Sequence, residues 1–81
     1  WNDVYPMPNN KLFKGLEKKS VFYFLHSYYI DCKYKNQIIS TSEYGTEFPS
    51  SVQNNNVYGI QFHPEKSHSY GERLLYNFAK L

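Results

Sequence analysis

The chain has 81 residues, of which 41% are hydrophobic and 20% charged, and its formal net charge is +2. This length allows one small domain at most, and this composition excludes a disordered tail. The longest hydrophobic run, residues 21–25, is far shorter than the ~20 residues that cross a bilayer, so we expect no membrane partner. The nine Lys and Arg residues are spread along the chain, which argues against a nucleic-acid-binding protein.

The single cysteine, Cys32, cannot form an internal disulfide bond. A domain this small without a covalent cross-link is typical of a reducing compartment, and we predict a cytoplasmic protein. The chain starts at Trp1 rather than Met and is 20% aromatic, which is high for its size. We therefore expect it to be part of a larger protein.

In the first half of the chain, composition predicts one buried strand and a hairpin. Residues 1–17 contain two prolines and a glycine and are expected to be irregular. Residues 20–30 are aromatic and branched on both faces, as in a central strand buried between two layers. A polar turn at residues 31–36 then leads to a second strand at residues 37–44, which is predicted to pair with the first.

In the second half, two further strands and a helix are predicted. Residues 50–52 favour a short strand, the three asparagines at 54–56 a turn, and residues 57–63 an apolar strand that Pro64 ends. Ser69 and Glu72 have the spacing of a capping box at the start of a helix. Its predicted apolar face consists of Tyr70, Leu74, Leu75, Phe78 and Leu81.

The predicted fold class is thus α/β, here mainly β-strands followed by a C-terminal helix. Two or three strands and one helix cannot cover every large apolar side chain, so we expect Phe22, Phe24 and Ile60 to be exposed. We also expect association or aggregation of the isolated chain for this reason.

The strongest chemical pattern is the pair His63 and Glu65, separated by Pro64. Proline favours an extended conformation at His63, and residues i and i+2 of an extended chain share a side. A carboxylate that accepts the imidazole N–H fixes the tautomer, so the other ring nitrogen can take a proton from a nucleophile. The pair therefore indicates a general base and its orienting group, although a pattern this short also occurs on ordinary surfaces.

Two other kinds of site are weaker. His63, Glu65 and His68 are potential metal ligands, but the paired cysteines or H-E-x-x-H motif that would complete a site are missing from the sequence, so no metal or cofactor is predicted. Cys32 lies in a predicted solvated turn without a glycine-rich elbow, which disfavours it as a nucleophile.

The carboxyl end of the first predicted strand is a candidate ligand site. His26 lies in an aromatic-rich strand, where a histidine is more often a hydrogen-bonded core residue than a ligand-binding one. The main chain of Ser27 and Tyr28 lies where the strand would end, at the sheet edge at which α/β proteins usually bind ligands.

Six segments together resemble the C-terminal half of the class I glutamine amidotransferases. They are GIQFHPEKS, FYFLHSYY, TSEYG, FPSSV, GERLLYNF and the opening Trp1-Asn2, and they occur in the family's order over nearly the whole chain. Within the family, the resemblance is strongest to the glutaminase subunits of imidazole glycerol phosphate synthases, which serve histidine biosynthesis.

The resemblance implies a fold and a site. The fold would be the C-terminal part, residues 1–81, of a single three-layer α/β/α domain. His63 and Glu65 match the family's catalytic histidine and glutamate, and the main chain of Ser27 and Tyr28 would bind the substrate, glutamine. The family's cysteine nucleophile and oxyanion loop lie upstream, and Cys32 does not match the nucleophile. The chain alone is therefore expected to be inactive.

The resemblance also implies a partner. Ammonia would pass to a (β/α)₈-barrel synthase or cyclase subunit in a heterodimer, and Trp1, Tyr23 and Lys66 match positions that face this subunit. Two alternatives stay open: a related amidotransferase that supplies ammonia for sugar or polysaccharide amidation, and a non-catalytic interaction module.

Overall fold

A computed structural model describes residues 1–17, 20–24 and 34–81. These ranges contain six strands and one α-helix. The elements are β1 (Asn2–Pro6), β2 (Ser20–Phe24), β3 (Ile38–Tyr44), β4 (Thr46–Asn54), β5 (Val57–Ile60), β6 (Phe62–His63) and α1 (His68–Ala79). Short 3₁₀ turns lie at Lys11–Phe13, Lys35–Gln37 and Pro64–Lys66. The prediction of mainly strands followed by a C-terminal helix is confirmed.

The six strands form one antiparallel sheet in the order β5-β4-β3-β1-β2-β6. β1 lies between β2 and β3, so the prediction of irregular structure is wrong for residues 2–6. The predicted direct pairing of the first strand with residues 37–44 is wrong for residues 20–24, which pair with β1 and β6. Only Val4 of β1 is buried. With one buried residue in five, the strand has no alternation of apolar and polar residues that a sequence pattern could show. It forms because it hydrogen-bonds to β2 on one side and β3 on the other.

β2 is the described part of the predicted central strand, whose remaining residues lie outside the described ranges. Ser20, Phe22 and Phe24 are buried, whereas Val21 and Tyr23 are half-buried. The expectation that Phe22 and Phe24 are exposed is therefore wrong, because the sheet has six strands rather than two or three. Ile60 is exposed, as expected.

The turn predicted at the three asparagines is present, and a second chain reversal precedes it at Gly45. Gly45 joins β3 to β4 with a φ of 75°, and Asn55 joins β4 to β5 with a φ of 56°. Glycine and asparagine adopt such left-handed angles at the lowest cost. The short strand predicted at residues 50–52 is the inner part of the longer β4.

The apolar strand predicted at residues 57–63 is divided in two by Gln61. β5 pairs with β4 and β6 pairs with β2, at opposite ends of the strand order. Strands joined by one residue can lie at opposite ends only if the sheet is strongly curled. Accordingly, the Phe24 and Phe48 rings meet across the curl, with centroids 6.1 Å apart.

The core lies inside this curled sheet and under α1. Its members are Val4, Leu12, Phe13, Leu16, Phe22, Phe24, Ile39, Phe48, Phe62 and Leu74. Phe62 is central, because its ring contacts those of Phe13, Phe22 and Phe24. In the parts of the chain described above, no helix is long and apolar enough to span a membrane.

Helix α1 is confirmed, but its cap and buried face differ from those predicted. It begins at His68 after the N-cap residue Ser67, so Ser69 lies inside the first turn and the predicted capping box is wrong. The buried residues are Gly71, Leu74 and Asn77. Leu75, Phe78 and Leu81 of the predicted apolar face are about half exposed.

Gly71 determines how closely α1 approaches the turn that precedes it. A β-carbon at this position would lie 1.7 Å from the carbonyl oxygen of Pro64, a main-chain atom that cannot rotate away. Tyr70 packs beside it against the core. The sequence signal for this contact is a glycine in the middle of a helical pattern, which usually marks close packing.

We expect Gly71→Ala to destabilise the protein by about 3 kcal/mol, because the added methyl group must displace the Pro64 carbonyl and with it the turn at Pro64–Lys66. Urea unfolding of the full-length protein measures this loss. Ser69→Ala, an exposed substitution in the same helix, is the matched control and should change the free energy of unfolding by less than about 0.5 kcal/mol. Equal effects of the two substitutions would contradict the close approach.

Candidate functional site

His63 and Glu65 are brought together as predicted. His63 ends β6 in an extended conformation, with φ −110° and ψ 92°, and Pro64 then starts a 3₁₀ turn that places Glu65 on the same side. The Nδ1 atom of His63 lies 3.2 Å from Oε2 of Glu65. The side chain of His63 is 34% exposed and that of Glu65 is 60% exposed, so a reacting group can approach the imidazole.

Electrostatics keep Glu65 ionised. The main-chain N–H of Glu65 donates to its own carboxylate and is the largest cause of its lowered pKa, while the loss of solvent around the carboxylate acts in the opposite direction. The hydrogen bond and charge of His63 and the charge of Lys66 lower this pKa further. An ionised Glu65 accepts a hydrogen bond from Nδ1–H of His63, which leaves Nε2 for proton transfer. The pair can therefore act as a general base and acid.

Ser67 fixes the main chain of His63, a role that sequence reasoning missed. Its buried hydroxyl accepts a hydrogen bond from the main-chain N–H of Tyr23 at 2.9 Å and donates one to the carbonyl of His63 at 2.6 Å. The hydroxyl thereby bridges β2 and the end of β6. The available signal was a serine four residues after the histidine, within reach of its carbonyl across the turn.

The three predicted interface residues, Trp1, Tyr23 and Lys66, lie together beside His63. The Trp1 and Tyr23 rings meet edge to face, with centroids 6.2 Å apart, and Nζ of Lys66 is 5.5 Å from the Tyr23 centroid. Tyr23 also contacts the imidazole of His63 at 6.1 Å. Tyr23 thus connects the proposed docking residues to the proposed base.

His68 adds a contact that the sequence did not predict. Its ring stacks on that of Trp1, with centroids 5.3 Å apart and an interplanar angle of 9°. Its φ of 51° is uncommon for a residue other than glycine, and histidine is one of the types that tolerate it. We call Trp1, Tyr23, Lys66 and His68 the aromatic cluster. It extends the site from His63 onto the exposed start of α1.

The other predicted residues lie outside the described ranges. They are Ser27 and Tyr28, predicted to bind glutamine, together with His26 and Cys32. Within residues 1–17, 20–24 and 34–81, no three His, Cys, Asp or Glu side chains are grouped closely enough to hold a metal ion.

A comparison with protein families identifies the chain. The sequence profile of the family "Glutamine amidotransferase class-I" matches residues 3–81, nearly the whole chain. The chain belongs to this family. Its strands and C-terminal helix accordingly form part of a class I glutamine amidotransferase domain, with an α/β fold.

Curated relatives of this amidotransferase chain share about half of its residues. It is 51% identical to the "Imidazole glycerol phosphate synthase subunit HisH" of Bdellovibrio bacteriovorus and 52% identical to that of Leptospira borgpetersenii, over all 81 residues. The subunit of the same name from Escherichia coli strain K12 is 44% identical. The chain spans about 40% of the length of each of these relatives.

The lowered pKa of Glu65 in this amidotransferase chain, and the main-chain hydrogen bond that is its largest cause, can be tested by titration. Carbon-13 NMR of the side-chain carboxyl should show it titrating below the value it has in the urea-denatured protein. Because the pKa is lower in the folded state, ionised Glu65 stabilises folding at neutral pH, and this contribution is lost as the pH falls through the folded-state pKa. His63→Gln should leave the pKa depressed, because the main-chain N–H is the largest cause. A return to the denatured-state value would instead make His63 the main cause.

Proposed function

We propose that this chain is the C-terminal part of a glutaminase subunit that hydrolyses glutamine to glutamate and ammonia for an imidazole glycerol phosphate synthase in histidine biosynthesis. The observation that carries the proposal is the 3.2 Å contact between His63 and Glu65 in a class I glutamine amidotransferase chain. The names of the relatives support this pathway over sugar amidation, the alternative suggested by resemblance alone. The single cysteine is in keeping with a cytoplasmic protein.

In the proposed reaction, His63 moves protons while a cysteine elsewhere in the protein forms the covalent bond. The cysteine sulfur attacks the carboxamide carbon of glutamine, and its proton passes to Nε2 of His63. His63 then protonates the departing nitrogen, so that the C–N bond breaks, ammonia leaves and a thioester remains. Water next attacks the thioester carbon, His63 takes a proton from that water and returns it to the sulfur, and glutamate is released. Glu65 stabilises the imidazolium in both halves.

Residues beyond this chain would complete the site. The relatives are about two and a half times as long as this chain. Their additional sequence leaves room for the nucleophile and the oxyanion donors of the family. We propose that the main chain of Ser27 and Tyr28 binds glutamine. Residues 1–81 alone are then expected to release no glutamate, because they lack the upstream nucleophile that the mechanism requires.

We further propose that the aromatic cluster faces the synthase partner, a (β/α)₈-barrel cyclase that receives the ammonia in a heterodimer. Trp1 is 58% exposed and Lys66 is also exposed, so both are available for contact. Large aromatic rings are enriched at the energetically important centres of protein interfaces. The contact of Tyr23 with His63 supports a partner surface beside the proposed base.

Replacing His63 should remove glutamine-driven activity and spare ammonia-driven activity. In the full-length complex, His63→Ala is expected to lower glutamine-dependent product formation by about 100-fold or more, because it removes both the base and the acid. Glu65→Gln keeps a hydrogen-bonding group but loses the charge, so its loss should be smaller. Product formation is measured with glutamine and, separately, with an ammonium salt at high pH.

Added ammonia should restore both variants to the wild-type rate, because it bypasses the glutaminase step. Glu47→Gln, an exposed carboxylate at the β3–β4 hairpin, is the matched control and should behave as wild type. Loss of both activities together would indicate that the pair is structural, and retained glutamine-driven activity in His63→Ala would place the base elsewhere.

Lys66 should act in docking rather than in chemistry. We expect Lys66→Ala to weaken association with the partner, mainly through a slower on-rate, since a charge at the rim of an interface steers encounter. Surface plasmon resonance with the full-length subunits measures this rate, and Lys35→Ala, another exposed lysine, is the matched control. Identical association rates for the two variants would refute the docking role.

A further inference from the structure

A groove on the side of α1 contains an unusual concentration of positive charge. It lies between the helix and the 3₁₀ turn Lys11–Phe13 and has a volume of about 390 Å³. Its lining includes Lys11, Lys14, Arg73, Tyr76, Asn77 and Lys80, which we call the basic groove. Four of the nine basic residues of the chain are thus gathered here.

The local structure places these cations on facing sides of the groove. Arg73 and Asn77 of α1 and its C-cap residue Lys80 are spaced i, i+4 and i+7, so they lie along one side of the helix. Lys11 and Lys14 are three residues apart across a 3₁₀ turn, where that spacing brings side chains onto one side. Asn77 joins the two elements, because its amide donates to the carbonyls of Leu12 and Lys14, each at 2.8 Å.

The guanidinium of Arg73 is held in a fixed orientation. Its Nε donates to the carbonyl of Lys14 at 3.0 Å, and its Cζ lies 5.5 Å from the centroid of the Tyr76 ring. It also packs on Gly15, where a β-carbon would come within 3.0 Å of Nε. With Nε engaged, the two terminal nitrogens remain as the parallel donors that grip an oxyanion from one side.

The four cations of the groove are not paired with acidic side chains in the part of the chain that the structure describes. No acidic side chain is among the residues that line it, and none of the four cations forms an ion pair within the described ranges. Nζ of Lys80 lies 5.5 Å from the centroid of the Tyr76 ring, which Arg73 also contacts, so one aromatic ring packs with both cations. Like charges gathered in a concave surface raise the local concentration of anions.

We propose that the basic groove binds a phosphate group. A phosphate dianion offers two oxygens to the fixed guanidinium of Arg73 and further oxygens to the lysine ammonium groups, whereas a single carboxylate would leave most of these donors unused. The groove is separate from the His63–Glu65 pair, because neither residue of the pair is among the residues that line it. The proposal therefore does not depend on the proposed function.

The test is isothermal titration calorimetry of the full-length protein with inorganic phosphate at low ionic strength. Wild type should bind with one-site saturation, and Arg73→Gln should weaken binding by about tenfold or more, because it removes a charge-assisted, bidentate contact. Lys80→Gln, which disturbs no main-chain hydrogen bond of the groove, should also weaken it. Lys35→Gln, which removes an exposed lysine outside the groove, is the matched control and should bind as wild type does.

Two comparisons complete the design. Glycerol 3-phosphate distinguishes the source of the phosphate. If it binds more tightly than inorganic phosphate, the ligand of the groove is a phosphate monoester; if the two bind equally, the ligand is the free ion. Either result supports the site. Absence of saturable binding by wild type overturns the proposal. Equal weakening of phosphate binding by Lys80→Gln and Lys35→Gln also overturns it, because such an effect would reflect net charge alone. Binding of long polyanions such as polyphosphate, without binding of inorganic phosphate, overturns it as well.

Discussion

The hydroxyl of Ser67 is the contact on which the candidate site depends. It joins the main chain of Tyr23 in β2 to that of His63 in β6. A two-residue strand at a sheet edge has few ladder hydrogen bonds of its own, so a buried side-chain bridge adds a large share of its attachment. Without it, the imidazole of His63 would sit on a loosely held segment.

The turn at Pro64–Lys66 also organises the start of helix α1. Ser67 ends this 3₁₀ turn and is the N-cap residue of α1, and its carbonyl accepts a hydrogen bond from the main-chain N–H of Gly71. Gly71 in turn lets the helix lie directly against Pro64. The lowered pKa of Glu65 has its origin in the same turn. The first N–H groups of a helical turn lack internal partners, and that of Glu65 donates to its own carboxylate. The geometry and charge of the His63–Glu65 pair thus come from residues 63–67 and from the close contact of Gly71 with Pro64.

Helix α1 separates two surfaces of different chemistry. Its first residue, His68, belongs to the aromatic cluster beside the proposed base, whereas Arg73 in its middle and the C-cap residue Lys80 belong to the basic groove. A division of this kind allows one face to dock a protein partner while another takes a small anion. The two proposals are independent, because the aromatic cluster and the basic groove share no residue.

The sequence by itself determined the local features: the chain reversal at Asn55, helix α1, and the pairing of His63 with Glu65 across Pro64. Each depends on residues within a few positions of one another, where φ preferences and side-chain period decide the outcome. Only the tertiary structure decided that β1 forms a strand between β2 and β3, that Ser67 bridges Tyr23 to His63, and which face of α1 is buried. These features depend on partners at least about 16 residues away in sequence, and a local pattern carries no information about which distant strand or carbonyl will satisfy a given group.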